Sequence, residues 1–443
     1  MKKVLLLALA ALAFMAVSCD PKDKGPATEE VKVQLVFNEQ AFAQEGITVT
    51  LANGTASFEA ETDAAGVAEF KVPVGVDTAT VSFKNSVDGA LFNYNGTGSV
   101  TVEAGAPVSA SVVLTASKTS QLIIKEVYNG GSTYTKEDGK TAQYNLDKYI
   151  TIYNNSDVEV DASRMGLAMA QITALPATNK YTYDANGIIA YETAGWCPAS
   201  YAIWWFQSGT EVKIAPYSQI TIAINGAVDH TQTYSTSVDL SNVDFCLYDI
   251  ETSFNKADNY PAPSANVPQS HYMKTYVFGT GTAWPFPIQS AAPFILIPEE
   301  GVNLQEYVKN TDNYDNQQAP SLATNFVKIP INWVLDALDL WPAADETKYF
   351  RRFPTSIDVG YQVLTNKLGY STYRNVDKAA TEAIAENAGK LVYNYAGAVS
   401  EEDNDPSGID AEASIAAGAK IVFMDTNNGG NDFRMRKVAA LKK

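Results

Sequence analysis

The 443-residue sequence is poor in the groups that most enzymes and metalloproteins use. It has two histidines, His230 and His271, and three cysteines. Two histidines exclude a His-rich metal centre, and three cysteines exclude a cysteine-rich scaffold. Arginine occurs six times, and 32 basic residues stand against 50 acidic ones, for a net charge of -18. A surface that acidic repels phosphate backbones, which argues against nucleic acid as a partner. No G-x-S-x-G, H-E-x-x-H, C-x-x-C or Walker loop occurs. No catalytic residue is assigned, because a glycosidase-type carboxylate pair has no signature among so many acids. No repeat of solenoid or propeller period stands out. Beyond residue 18 no stretch is apolar for the ~20 residues that a membrane-spanning helix needs.

What is there begins with an address. Met1, Lys2 and Lys3 form a short basic start, and residues 4–18 are an almost unbroken apolar run. The run is too short for a permanent span, so residues 1–18 read as a secretory signal peptide. The end of the run, AVSC, resembles a lipobox. That resemblance implies that Cys19 becomes a lipidated first residue, anchored by acyl chains at ~0.8 kcal/mol per buried methylene. Residues 19–30 are polar with two prolines and read as a flexible tether. Charges directly after the cysteine resemble the surface-export signals of Bacteroidota lipoproteins. The expected location is therefore the outer membrane, lipid-anchored and facing outward, with the periplasmic face as the alternative. With Cys19 lipidated, Cys197 and Cys246 remain. In an oxidising compartment they form either a disulfide, worth ~4 kcal/mol in the loop-entropy model, or two buried free thiols.

Residues 31–117 alternate apolar and polar in short runs: 31–35 (VKVQL), 47–51 (ITVTL), 56–62, 67–72, 78–83 and 109–114. Short strands at this spacing, separated by turns such as Asn53-Gly54 and the Asp63–Gly66 segment, predict a small β-sandwich. The segments GITVTL, ETDAAGVAEF and VPVGVDTATVSF resemble the carboxypeptidase-regulatory-like modules. The resemblance implies a transthyretin-like or Ig-like spacer without catalysis. Asp77-Thr78-Ala79 resembles the O-glycosylation sequon of exported Bacteroidota proteins, which marks Thr78.

A small polar linker at 116–120 opens the second region, 118–443. Strand-like QLIIKEVYNGG, YITIYNNS and VDASRMGL follow, then VKIAPYSQITIAING and a final DTNNGGNDF. These resemble a divergent lamin-tail-like domain, which implies a larger β-sandwich elaborated by insertions. Residues 201–206 read as a central strand, 332–341 as a strand-like element with periodic acids, 421–424 as the closing strand, and 377–390 as a helix. The expected fold class is thus all-β, two sandwiches in series with few short helices. Taken whole, the chain resembles an uncharacterised Bacteroidota lipoprotein family, a domain of unknown function whose members lie beside TonB-dependent receptors.

All six tryptophans fall between Trp196 and Trp341. Trp204, Trp205 and Trp284 are candidates for stacking a ligand, against the alternative of core packing. Asp425, Asn427, Asn431 and Asp432 could supply hard oxygens to a cation such as calcium, and 401–405 (EEDND) likewise. Both stretches also read as solvated loops. No other cofactor is expected, and His230 and His271 read as surface or structural. The expected function is non-catalytic capture of a nutrient or metal chelate for a TonB-dependent outer-membrane transporter. The alternatives are a structural or adhesive surface lipoprotein binding protein or glycan, and a hydrolase with an unrecognised site.

Overall fold

The computed structural model describes residues 28–442, apart from 55, 88–89, 119, 130, 171–188, 253–259, 280–285, 289, 317–324, 365–367 and 401–403. The signal peptide, Cys19 and most of the tether lie outside the described residues. So do Trp284 and the acids 401–403. The chain divides into two compact units. One takes in the chain to Phe83 together with Tyr94–Thr115, the other Lys84–Asn93 and Ala116–Lys443. The protein is all-β, with only short helices.

In the first unit, Thr28–Phe37 pairs antiparallel with Val67–Pro73 and parallel with Val108–Lys118. Thr48–Asn53 lies between Ala56–Glu61 and Gly75–Val87. Period-two patterning sends Val31, Val33 and Leu35 inward to full burial. The first strand starts three residues earlier than expected, because Thr28, Glu29 and Glu30 pair with Pro73, Val72 and Lys71. A strand absent from the sequence reading, Ala90–Val102, joins the sheet beside Gly75–Val87. Four rings close one end of this core: Phe37, Phe42, Phe83 and Tyr94, with Phe83 and Tyr94 stacked at 5.0 Å.

The second unit is a sandwich with covered outer faces. One sheet runs in the order Phe245–Cys246, Gln219–Ala223, Tyr149–Asn154, Leu122–Tyr128, Ser371–Arg374, Phe433–Arg436. The other runs Lys274–Val277, Ala202–Trp205, Gly166–Met169, Pro293–Leu296, Val334–Ala337. Ile124, Ile152 and Ile222 of the first meet Leu167, Trp204 and Ile295 of the second in one buried core. All seven residues of Leu122–Tyr128 are buried, because its outer face is covered too. There Ile123, Tyr153 and Tyr373 pack on Ile409, Ile421 and Phe423. The outer face of the second sheet is covered by Trp196–Ser200, Phe326–Pro330 and the helix Leu304–Lys309. Among the described residues no helix is long and apolar enough to cross a membrane.

Two expected elements differ. The helix over 377–390 runs only from Lys378 to Ala383, capped by Asp377 at the Ala380 amide, 3.0 Å. Ile384 is extended, and Asn387 spans from the Thr381 carbonyl to the Lys420 carbonyl at 2.8 and 2.7 Å. That side chain takes the Thr381 carbonyl, an acceptor the helix would use to continue, and so ends it. The closing strand is Phe433–Arg436 and not 421–424, where a single bridge joins Val376 and Phe423.

Candidate functional site

Period two along Ala202–Trp205 separates the two adjacent tryptophans. Trp204 points between the sheets and is fully buried, so it has no face to offer a ligand. Trp205 points to the opposite face and is only partly buried. It borders a groove of about 620 Å³, within the range of small-molecule sites, ~300–1,000 Å³. Trp205 sits in register with Gly166 on one side and Lys274 on the other. A Cβ at Gly166 would lie 2.7 Å from Leu304 Cδ2. The glycine thereby admits the helix that forms one wall, and Asn303 caps that helix at the Glu306 amide, 3.1 Å.

The polar groups around Trp205 are held in place. Arg164 donates to the backbone carbonyls of Pro298, at 2.6 Å, and Glu299. Lys274 Nζ lies 3.0 Å from Glu251 and 3.5 Å from Asp249. Burial works to lower the Lys274 ammonium, but Glu251 and Asp249 outweigh it and hold it above its ordinary value. Asp249 also accepts from the amides of Glu251 and Thr275, at 3.0 and 2.9 Å. Gln207 donates to the Gln269 and Tyr272 carbonyls at 2.6 and 2.8 Å. The result is an aromatic face beside polar and charged side chains, of which Lys274 meets Asp249 and Glu251.

The other candidates fall elsewhere. Cys197 and Cys246 are free, which corrects the disulfide alternative. Cys197 packs with Ala199, Val327 and Ile329, whereas Cys246 packs with Ala223, Leu240 and Val267 in a separate cluster. Burial pushes the Cys246 thiol up to about 12 and the Cys197 thiol well above its ordinary value. Both are inert apolar fillers.

The Asp425–Asp432 segment does not line an open oxygen cage. Its carboxylates already meet a cation, the Arg374 guanidinium. Arg374 Nη1 is 3.5 Å from Asp425 and 3.7 Å from Asp432, and Nη2 bonds to Asp336. Asp432 also accepts from Thr426 N and Oγ1 at 2.8 and 2.7 Å. Asn431 gives its carbonyl to Asn375 at 2.7 Å, and Asn427 takes a left-handed φ of 55° with its carbonyl on the Val359 amide. Among the described residues no group of three or more His, Cys, Asp or Glu is disposed to hold a metal.

Thr78 is exposed on its strand, while its neighbour Asp77 is buried and accepts from Asn53 at 2.8 Å. His230 is fully buried between the Tyr144 hydroxyl, 2.7 Å, and the Gly226 carbonyl, 2.8 Å. His271 stacks on Phe245 at 4.6 Å. Sequence reasoning missed the Arg374 node and a second buried cluster around Lys125. Only pairing between distant segments creates them, so no local motif marks either.

Residues 215–440 match the profile of the family described as "Protein of unknown function (DUF4876)". The chain is similar to the crystal structure of a DUF4876 family protein from Bacteroides thetaiotaomicron. The two are 19% identical with a TM-score of 0.51, covering 92% of this chain and 94% of that one. At that identity the likeness speaks for the fold. The Bacillus anthracis TIE protein matches at 13% identity and a TM-score of 0.18 over 44% of this chain and 45% of that one. A DUF3823 family protein from Parabacteroides merdae matches at 7% identity and a TM-score of 0.18 over 71% of this chain and 99% of that one. No curated protein matches the chain.

Proposed function

The chain belongs to DUF4876, a family of proteins of unknown function, and we propose for it a role in capture without catalysis. In this reading it is a surface lipoprotein, anchored through Cys19 in the outer membrane. It holds a small polar nutrient or metal chelate and passes it to a TonB-dependent transporter. The observation that carries the reading is the groove beside Trp205. One partly buried indole stands among polar side chains, with Lys274 paired to Asp249 and Glu251. Such a surface offers stacking and directional hydrogen bonds, which suits reversible binding.

The test is a pull-down of the native lipoprotein from outer membranes, followed by mass spectrometry of proteins and of released small molecules. Recovery of a TonB-dependent receptor is expected. So is a small molecule that is lost with Trp205→Ala while the receptor is retained. Intact lipidation with no transporter recovered would overturn the reading.

A further inference from the structure

We propose that Lys125 and Gln219 join through an intramolecular isopeptide bond, with Glu412 carrying the protons. This is independent of the groove. Lys125 lies within the wholly buried strand Leu122–Tyr128 and is itself 1% exposed. Its side chain emerges on the same sheet face as Ile123, the face packed against the segment that ends at Phe423. There Nζ lies 2.6 Å from Gln219 Oε1 and 2.6 Å from Glu412 Oε1. The rings of Tyr153, Tyr373 and Phe423 surround it at 5.9, 5.5 and 5.7 Å.

Each partner is positioned by the fold. Gln219 is in register with Tyr153 at the start of its strand. Glu412 sits in the first turn of the helix Ala411–Ala416, capped by Asp410, and also accepts from the Tyr373 hydroxyl at 2.7 Å. An ammonium needs only the carboxylate to be neutralised. The carboxamide at the same distance adds an electrophile beside an amine that is itself buried among three rings, while Gln219 and Glu412 are partly buried. Amine, carboxamide and proton carrier held within hydrogen-bond reach of one another are what amide exchange requires. Burial acts to raise the Glu412 carboxyl, but Lys125 and Tyr373 outweigh it and hold it below its ordinary value. Glu412 therefore begins as the carboxylate.

The reaction balances within the site. Glu412 takes a proton from the Lys125 ammonium, and the freed Nζ attacks Gln219 Cδ. The Nζ–Cδ bond forms and the Cδ–Nε2 bond breaks. The amine's second proton goes to Nε2, which leaves as ammonia. Ammonia takes the proton from Glu412 and departs as ammonium, restoring the carboxylate. No oxidant or cofactor takes part. The new bond links residues 94 apart in sequence, on the two strands that flank Tyr149–Asn154.

Mass spectrometry of the full chain decides the matter. The wild type should be lighter than Lys125→Arg by one ammonia, about 17 Da, after allowing for the substitution itself. Its digest should contain a branched peptide joining the Lys125 and Gln219 segments. Lys125→Arg and Glu412→Gln should give the linear peptides only. Linear Lys125 and Gln219 peptides in the wild type would overturn the proposal. So would a branch onto Glu412 with loss of water, about 18 Da, or full cross-linking in Glu412→Gln. The deciding reading is made on the wild type, so a variant that fails to fold leaves the test standing.

Discussion

In the second unit Arg352 is fully buried. Its guanidinium donates to Asp339 from Nε and Nη2 at 3.0 and 2.6 Å. It also reaches the carbonyls of Ser290, Ala291 and Leu340 at 2.8, 3.0 and 2.8 Å. A buried ion pair is costly to assemble but worse to break, because the remaining charge loses its partner. Asp339→Ala should therefore destabilise the fold by about 3–5 kcal/mol, read as a lowered urea midpoint. A loss below ~1 kcal/mol, the range of exposed pairs, would contradict the clamp. Asp336 and Asp339 are visible in the sequence as acids within an apolar stretch. Their partners are not, since Arg374 and Arg352 lie 38 and 13 residues away. A carboxylate in a strand pattern says that something must satisfy it, and only the fold says what.

At the scale of elements, legibility followed regularity. Residues 31–35 and 67–72 alternate cleanly and form strands. Residues 90–102 do not alternate, because Gly96 and Gly98 interrupt the pattern. A Cβ at Gly96 would lie 2.5 Å from Val112 Cγ1 and 2.9 Å from the Val113 carbonyl. The glycine that hides the strand from the sequence is thus the one that lets its neighbour approach. Helix propensity misled at 384–390 for the converse reason, since the Asn387 side chain holds the Thr381 carbonyl that a longer helix would use and ties it to the Lys420 carbonyl. Of the groove, the sequence showed Trp205 but could not separate it from Trp204 without the strand's facing. Turns are where a single methyl is felt most. Gly66 has φ +77°, and a Cβ there would stand 1.8 Å from the Phe42 carbonyl oxygen. Gly46 has φ +80° with nothing within 4 Å. Gly46→Ala should cost only the backbone strain, about 1 kcal/mol, and Gly66→Ala distinctly more. Thermal melts of the two variants make the comparison, and equal losses would contradict the close approach.

For the molecule as a whole, the balance of charge sets the response to acid. A net charge of -18 favours expansion through self-repulsion, and protonation relieves it. The interior acts in the same direction. Asp336, Asp425 and Asp432 surround the single Arg374 guanidinium, so one cation faces three carboxylates. Burial, partly offset by Arg374, pushes Asp336 up to about 7 and Asp432 up to about 6. Both groups bind their protons more tightly folded than unfolded. Their contribution to stability is complete below the unfolded carboxyl value of 3.8 and is lost as pH rises through about 6 and about 7. Two other buried groups have the opposite shift. Burial lowers His230, which opposes folding as pH falls through the ordinary histidine value of 6.5. Lys148, pulled down to about 7 from 10.5, favours folding only toward alkaline pH and is protonated in both states below neutrality. Burial also raises the Asp358 and Glu126 carboxyls, so on acidification from pH 7 to 5 the raised carboxyls and the relief of net charge act against one histidine. The melting temperature should hold or rise on acidification across that window. Asp336→Asn, which removes one of these carboxyl contributions, should reduce the rise. A wild-type melting temperature that falls from pH 7 to 5, in parallel with Asp336→Asn, would show that the Arg374 cluster holds no extra proton.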